Sequence, residues 1–407
     1  MAIFPKLHDI ISLEDEIDSE IKEILYKSLE GKEIVKEEAN NLIKSDERNL
    51  QALKSVARIK RDTGKRKRIT HSRNVFIPLT NLCRNRCGYC NFRKEPTDPD
   101  AEIMNPNKVL SFAEVGKRNH CTEALFTLGE KPERRYPEAH RWLKRLGYES
   151  MLEYLRDMCE IVIKKTGLLP HSNPGIMTKS EMADLKDVNA SIGLMLENVS
   201  DRLCDKGKPH EFSPSKRPKL RLATIENAGQ LKIPFTTGLL IGLGETPEEI
   251  VESLYAINKL NRRYGHIQEV IIQSFKAKSY TPMASHQELN NKEIIKVISV
   301  SRLIFGSKMN IQVPPNLYPN ECKEYLYSGI NDWGGISPVT TDFVNPEAPW
   351  PEIMTLKNAT ERQGFEFKAR LPIYPEFILN KAVFLPKPLK NHILSLVDHE
   401  GYVKEVP

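Results

Sequence analysis

The sequence has no apolar run long enough to cross a membrane. Its longest, around 238–243, falls far short of the roughly 20 residues a spanning helix requires, so no membrane association is expected. Aromatics are scarce at 7%, with three tryptophans in 407 residues. Neither a low-complexity tract nor a repeat of about 20 to 50 residues is found, which excludes solenoids and compositionally biased arrays. The opening Met1-Ala2-Ile3-Phe4-Pro5 lacks the basic-then-apolar pattern of a secretory leader, and none is expected. Seven cysteines, an odd number, do not make a disulfide framework, and reduced thiols in the cytoplasm are the expectation. The formal charge of +6 is modest for this length and does not by itself call for nucleic acid.

What is present suits an ordinary globular chain: 40% hydrophobic and 28% charged residues, enough to bury a large core. Residues 13–61 read as amphipathic helices broken at Gly31. Ile17, Ile21, Ile24, Leu25 and Leu29 recur at three and four residues, and Leu42, Ile43, Leu50, Leu53, Val56 and Ile59 continue the pattern. From Asn74 the texture changes to short β-branched runs at 75–79, 123–128, 168–171, 190–196, 235–241, 269–274, 310–313 and 332–336. Helical stretches are expected between them at 106–119, 150–165, 179–185, 217–229, 247–264 and 291–305. Thr246-Pro247-Glu248-Glu249 is a helix start, with a hydroxyl cap, proline in the first turn and early acids. Eight strands alternating with helices predict an α/β fold, a (β/α)8 barrel of TIM type, with an open doubly wound sheet as the alternative. The expected organisation is an N-terminal helical extension over 1–68, a barrel core over 69–345 and a helical or irregular C-terminal extension over 346–407. The basic cluster Lys65-Arg66-Lys67-Arg68, with Lys60, Arg61 and Arg73, reads as a solvated face, an RNA-contacting patch being the other reading.

The chemistry concentrates in Cys83-Arg84-Asn85-Arg86-Cys87-Gly88-Tyr89-Cys90. Three thiolates at C-x3-C-x2-C spacing are one short of a closed metal site, which suggests a cluster with one metal position open. Zinc is the bland alternative, although His71, His120 and Cys121 give no finger pattern. Cys121, Cys159, Cys204 and Cys322 read as buried free thiols. The trio follows the first strand, where a barrel gathers reactive groups. Gly129-Glu130 follows the second strand, a glycine admitting a ligand beside a carboxylate suited to an ammonium. Gly242 and Gly244 follow the fifth, in an apolar setting that could admit a flat ring.

The C-x3-C-x2-C loop, Tyr89 before its last cysteine and Gly129-Glu130 together resemble the radical S-adenosylmethionine (SAM) enzymes. That resemblance implies a 4Fe-4S cluster on Cys83, Cys87 and Cys90, whose fourth iron takes the amino and carboxylate groups of SAM. It implies that Glu130 holds the ammonium, that Tyr89 and the Gly242/Gly244 segment bracket adenine, and that Glu197 serves the ribose hydroxyls. Electron transfer from cluster to sulfonium would then yield a deoxyadenosyl radical, with a reducing electron donor as one partner.

Longer strings are more specific. The run 74–93, with Leu128-Gly129-Glu130-Lys131-Pro132-Glu133, His171-Ser172-Asn173-Pro174-Gly175 and Asp332-Trp333-Gly334-Gly335-Ile336-Ser337-Pro338, is similar to the deazaflavin-forming synthases of that superfamily over roughly residues 70–370. This implies a lyase-type cyclisation of a small-molecule substrate with loss of ammonia, the substrate coming from a sister radical SAM enzyme. His171 and Asn173 are candidates for the uracil edge, Asp332 and Trp333 for the ribityl and aromatic parts, and His171 or Asp332 for the general base. The ordinary readings are a structural histidine and a tryptophan plugging the barrel end. The rival functions are the sister enzyme that joins tyrosine to the pyrimidine, another radical SAM reaction, and a metal-stabilised nucleic-acid-binding module.

Overall fold

The computed structural model describes residues 17–404, so positions 13–16 of the expected N-terminal helix lie outside the described residues. Eight parallel strands close a barrel: β1 (Arg68–Thr80), β2 (Glu123–Leu128), β3 (Leu169–Asn173), β4 (Ser191–Gly193), β5 (Phe235–Ile241), β6 (Ile267–Ser274), β7 (Asn310–Gln312) and β8 (Asp332–Ile336). They pair in sequence order, and β1 meets both β8 and β2 to complete the ring. The α/β barrel reading holds and the open sheet does not. β5 (FTTGLLI) and β6 (IQEVIIQS) are rich in Leu, Ile and Val, as strands covered on both faces tend to be, whereas β3 (LPHSN) and β8 (DWGGI) turn polar or small residues toward the barrel interior.

Barrel helices lie outside the ring: α4 (Pro106–Arg118), α5 (Pro137–Arg145), α6 (Met151–Thr166), α7 (Lys179–Lys186), α8 (Pro218–Leu231), α9 (Pro247–Tyr264), α10 (Asn291–Phe305) and α11 (Cys322–Tyr327). The start of α9 is capped as its sequence demands. Thr246 Oγ1 accepts from the Glu249 N–H at 3.3 Å, and the Glu249 carboxylate accepts from the Thr246 N–H at 2.8 Å.

Before the barrel, α1 (Ser19–Leu29), α2 (Lys36–Lys44) and α3 (Leu50–Lys65) lean on its outer helices. The Tyr255 hydroxyl of α9 donates to the Ile34 carbonyl at 2.7 Å, and Lys296 of α10 donates to the Ser45 carbonyl at 2.5 Å. Arg61, in the expected basic face, is fully buried instead. Its Nη1 donates to the carbonyls of Leu326 and Ile330 at 2.9 and 2.6 Å.

After the barrel come α12 (Ile353–Glu361), a ninth strand β9 (Glu366–Arg370), α13 (Pro375–Leu379) and α14 (Lys390–Leu396). The C-terminal segment, expected to be helical or irregular, thus also contributes a strand to the sheet. β9 pairs with Arg68–Ser72 of β1 while Asn74–Thr80 pairs with β2, so β1 is long because two partners share one edge. Leu371, Ile373, Tyr374 and Phe377 then pack with Leu169 and Ala190 under the strand starts and close the barrel floor.

Candidate active site

The strand ends open on a cavity of about 430 Å³, and the cysteine loop forms part of its wall. Cys83, Cys87 and Cys90 all line it as free thiols, whereas Cys121, Cys159, Cys204 and Cys322 are buried elsewhere. Cys83 Sγ accepts from the N–H groups of Asn85 and Glu130 at 3.4 and 3.2 Å. Cys87 Sγ accepts from Ser213 Oγ at 3.3 Å. Burial, reinforced by Cys87, pushes the Cys83 thiol up to about 12, so a bound cation is what would hold the thiolate there. Among the described residues no three His, Cys, Asp or Glu side chains surround a position for a single ion. Zinc would require such convergence, whereas a cubane takes each thiolate on a different iron.

Beside the trio sits Glu130. It is buried, its Oε2 accepts from Asn85 Nδ2 at 3.3 Å, and its Oε1 has no partner. Two glycines make that placement feasible. A β-carbon on Gly129 would stand 1.9 Å from the Leu82 carbonyl, and one on Gly175 would stand 2.3 Å from Glu130 Oε2. A buried carboxylate with one oxygen unpaired is costly unless a donor arrives.

Against the cysteine loop lies a charge network centred on Glu197, which adopts φ +67° at the end of a bridge to Leu239. Tyr89 donates its hydroxyl to Glu197 at 2.5 Å, Lys216 pairs with the same carboxylate, and Arg221 Nη2 lies 3.4 Å away. Burial opposes ionisation of Glu197, but Lys216 and Arg221 win and hold its carboxyl well below the usual range. Tyr89 and Glu197 therefore share one site. Gly242 and Gly244 do not join it. Both have positive φ, their loop is folded onto Glu245, which accepts from the Gly242 and Leu243 N–H groups at 2.5 and 2.7 Å, and neither is part of the cavity wall. Leu240 and Phe275 present the apolar surface there instead.

Deeper in the barrel the cavity is polar. His171 and Asn173 meet over Gly193, where a β-carbon would stand 2.1 Å from Asn173 Oδ1 and 2.9 Å from His171 Nε2. Ser191 donates its hydroxyl to the Pro372 carbonyl at 2.6 Å, so it accepts from His171 Nδ1 at 2.6 Å. That leaves Nε2 as the unprotonated nitrogen, with the Asn173 side chain against the ring. Burial, helped by Arg370, lowers this imidazole to about 3, and it is neutral.

Asp332 is not on the cavity wall. It is fully buried and clasped by Arg370, Nε to Oδ2 at 2.6 Å and Nη2 to Oδ1 at 2.9 Å, with Thr70 also donating to it. Its role is to hold Arg370, which does face the cavity. Trp333, one step along β8, points the other way, as strand alternation requires. It is fully buried and donates Nε1–H to Thr360 Oγ1 of α12 at 3.1 Å.

Several cavity residues were not found from sequence. Glu269 on β6 accepts from Arg370 Nη2 at 3.2 Å, from the Tyr374 hydroxyl at 2.9 Å and from Thr236 Oγ1 at 3.0 Å. Burial, with Asp332 adding to it and Arg370 opposing, raises its carboxyl to about 7. Glu123 on β2 accepts from Ser72, and burial raises it too. Asn74 lines the cavity with both amide atoms buried and unpartnered, against Gly335, whose β-carbon would stand 2.2 Å from Asn74 Nδ2. Strand-interior Gly334-Gly335 was the available signal, since glycine within a strand marks close approach.

A closed parallel barrel with a cysteine-lined mouth and a buried carboxylate beside it defines a radical SAM protein, and residues 77–255 match the radical SAM superfamily. The chain is 48% identical over 336 residues to a 7,8-didemethyl-8-hydroxy-5-deazariboflavin synthase of Methanopyrus kandleri, covering 83% of this chain and 100% of that one. It is 43% identical over 391 residues to an FO synthase of Nocardia farcinica, covering 93% of this chain but 45% of the longer relative. The fold is shared with the FeFe-hydrogenase maturase HydG from Carboxydothermus hydrogenoformans, TM-score 0.73 at 18% identity, over 95% of this chain and 88% of that one. The chain belongs to the radical SAM superfamily, in the family of the 7,8-didemethyl-8-hydroxy-5-deazariboflavin synthases. Membership implies a 4Fe-4S cluster and SAM, and the residues fit both. The free thiols lie on one wall, the unpartnered Glu130 oxygen lies beside them, and no β-carbon crowds the approach at Gly129 or Gly175.

Proposed function

We propose that this chain is a radical SAM lyase of deazaflavin biosynthesis. It would cyclise 5-amino-5-(4-hydroxybenzyl)-6-(D-ribitylimino)-5,6-dihydrouracil to 7,8-didemethyl-8-hydroxy-5-deazariboflavin with loss of ammonia. SAM would be consumed as the oxidant and leave as methionine and 5'-deoxyadenosine. The observation that carries the reading is the unpartnered Glu130 carboxylate oxygen on the wall that holds the cysteine trio, in a chain nearly half identical to such a synthase over its whole length.

In this reading Cys83, Cys87 and Cys90 hold the cluster, which with SAM supplies a carbon-centred oxidant at the cavity mouth. Glu130 takes the SAM ammonium through its free oxygen. Tyr89 is oriented by its bond to Glu197, and the Lys216–Glu197–Arg221 network keeps that wall rigid and charged. The substrate occupies the polar depth. The Asn74 amide offers a donor and an acceptor to a uracil edge, with His171 and Asn173 across from it. Arg370, fixed by Asp332, presents its remaining donor capacity to the substrate's oxygens.

Two groups can accept the protons that leave during ring closure and aromatisation: the unprotonated Nε2 of His171 and the carboxylate of Glu269. Glu269 suits the task better, because a group near 7 holds and releases a proton at working pH while an imidazole near 3 does not. The sister radical SAM enzyme would supply the substrate. That a chain of this kind occupies under half of the longer FO synthase supports a second enzyme being joined to it there.

The test is anaerobic incubation of the iron-reconstituted protein with SAM, a reductant and the coupled tyrosine-joining reaction. Deazaflavin fluorescence with stoichiometric deoxyadenosine is expected. Deoxyadenosine without fluorescence would assign the barrel to another substrate.

A further inference from the structure

The cysteine loop has an outer side as well as a cavity side. The Arg86 N–H donates to the Phe212 carbonyl at 3.0 Å, the Gly88 N–H donates to the Pro209 carbonyl at 2.8 Å, and Ser213 donates to Cys87 Sγ at 3.3 Å. Segment 209–213 is therefore a thin layer between Cys87 and solvent. Its outer surface carries Phe212, 61% exposed on a chain that buries most of its large apolar side chains. Around Phe212 lies a shallow hollow edged by Arg86, Arg135 and Arg217, all exposed, with Glu211 as the one carboxylate on its rim. Arg86 and Arg217 have carboxylates nearby, Glu95 at 3.3 Å and Asp201 at 3.8 Å, but these are solvent-exposed contacts that neutralise little. In the flanking sequence Lys206, Lys208 and Lys219 are exposed, as are Asp201 and Asp205, so the excess of positive charge comes chiefly from the three arginines.

An exposed aromatic within a ring of guanidinium groups fits a protein partner better than a free anion, because the ring's apolar face gains only if another surface covers it. The sign of the face selects an acidic partner. The position, behind the loop that carries Cys87, selects what that partner would deliver. We propose that this Phe212-centred face docks an acidic one-electron carrier protein, which is oxidised by one electron as the cluster held by Cys83, Cys87 and Cys90 is reduced by one. The patch is small, as brief redox encounters require: the complex must form, pass its charge and separate. Arginine rather than apolar area dominates, which favours rapid, salt-sensitive association.

The experiment uses the whole chain and a small acidic flavodoxin as probe. Affinity is measured by calorimetry at low and high salt, and anaerobic cluster reduction is followed by absorbance with either reduced flavodoxin or dithionite. Arg135→Glu/Arg217→Glu is expected to weaken flavodoxin binding about tenfold or more and to flatten its salt dependence. It should slow flavodoxin-driven reduction while leaving dithionite-driven reduction unchanged. Phe212→Ser, which alters no charge, should weaken binding without changing the salt slope. Unchanged affinity in both variants, or equal slowing with both reductants, would overturn the proposal.

Discussion

Gly175 and Glu130 are fitted to each other: any side chain at 175 would place its β-carbon 2.3 Å from Glu130 Oε2 and 2.4 Å from its Cγ. Gly175 also has φ +88°, which disfavours other residues. Gly175→Ala should therefore displace the carboxylate, and Glu130→Gln should remove its charge. Both variants are expected to bind SAM at least about tenfold more weakly, in line with the loss of a charge-assisted bond, while retaining iron at the level of the unaltered protein. Equilibrium dialysis with SAM beside an iron assay checks this. Unaltered SAM affinity in Glu130→Gln would move the ammonium contact to another residue.

Asp332 and Glu269 flank the same guanidinium but are expected to fail differently. Asp332→Asn strips the charge that pairs with buried Arg370, and thermal unfolding should show a loss of about 3 kcal/mol. Glu269→Gln keeps the bonds a neutral carboxyl group would make and should fold normally. Its turnover should fall by about a hundredfold or more, since a proton acceptor is gone. If Glu269→Gln turns over at the original rate, His171 becomes the acceptor.

Trp333 packs away from the cavity and bonds to Thr360. Trp333→Phe should leave KM for the substrate unchanged while lowering stability by about 2 kcal/mol through the lost hydrogen bond and lost volume. A raised KM with undiminished stability would return Trp333 to the substrate.

Stability should depend on pH through buried histidines. Burial lowers His71, His171 and His266 to about 4, 3 and 4 from 6.5. Between 6.5 and about 4 the unfolded chain binds protons that the folded chain does not, so stability is full above 6.5 and falls as the pH drops through that window. Glu269 has the opposite sign: raised to about 7 from 4.5, it binds a proton more tightly when folded and costs stability as pH rises from 4.5 to 7. Glu123, Glu133 and Glu245, also raised by burial, act in the same sense as Glu269, and His210, lowered by burial, acts with the three imidazoles. The share of one imidazole is therefore read by substitution: on acidification from pH 6.5 to 4.5 the melting temperature of His171→Asn should fall less than that of the unaltered protein. An identical fall in the two proteins would contradict the burial of that imidazole.

The barrel was readable because strands such as Phe235–Ile241 and Ile267–Ser274 are short apolar runs and helices such as Met151–Thr166, Pro247–Tyr264 and Asn291–Phe305 carry their own caps. The limits of β1 were not readable, since Arg68, His71 and Arg73 interrupt its apolar pattern and its extension is held by pairing with β9 on one edge and β8 on the other. β9 itself, Glu366–Arg370, is too polar to announce a strand. At the site, spacing within one loop found the cysteine trio, and position after a strand found Glu130. Lys216 and Arg221, which set the state of Glu197, and Arg370, which claims Asp332, are brought in by tertiary folding across 19, 24 and 38 residues. Gly242 and Gly244 lie in a turn closed by Glu245 and off the cavity wall, a placement the local glycine pattern does not reveal.

Whether Cys83, Cys87 and Cys90 hold a cluster whose remaining iron takes SAM is decided by electron paramagnetic resonance on the reduced, anaerobically reconstituted protein. A 4Fe-4S signal that shifts when SAM is added is expected, with no signal in a folded Cys87→Ala variant. A signal that SAM leaves unmoved, or one that survives Cys87→Ala, would contradict that assignment.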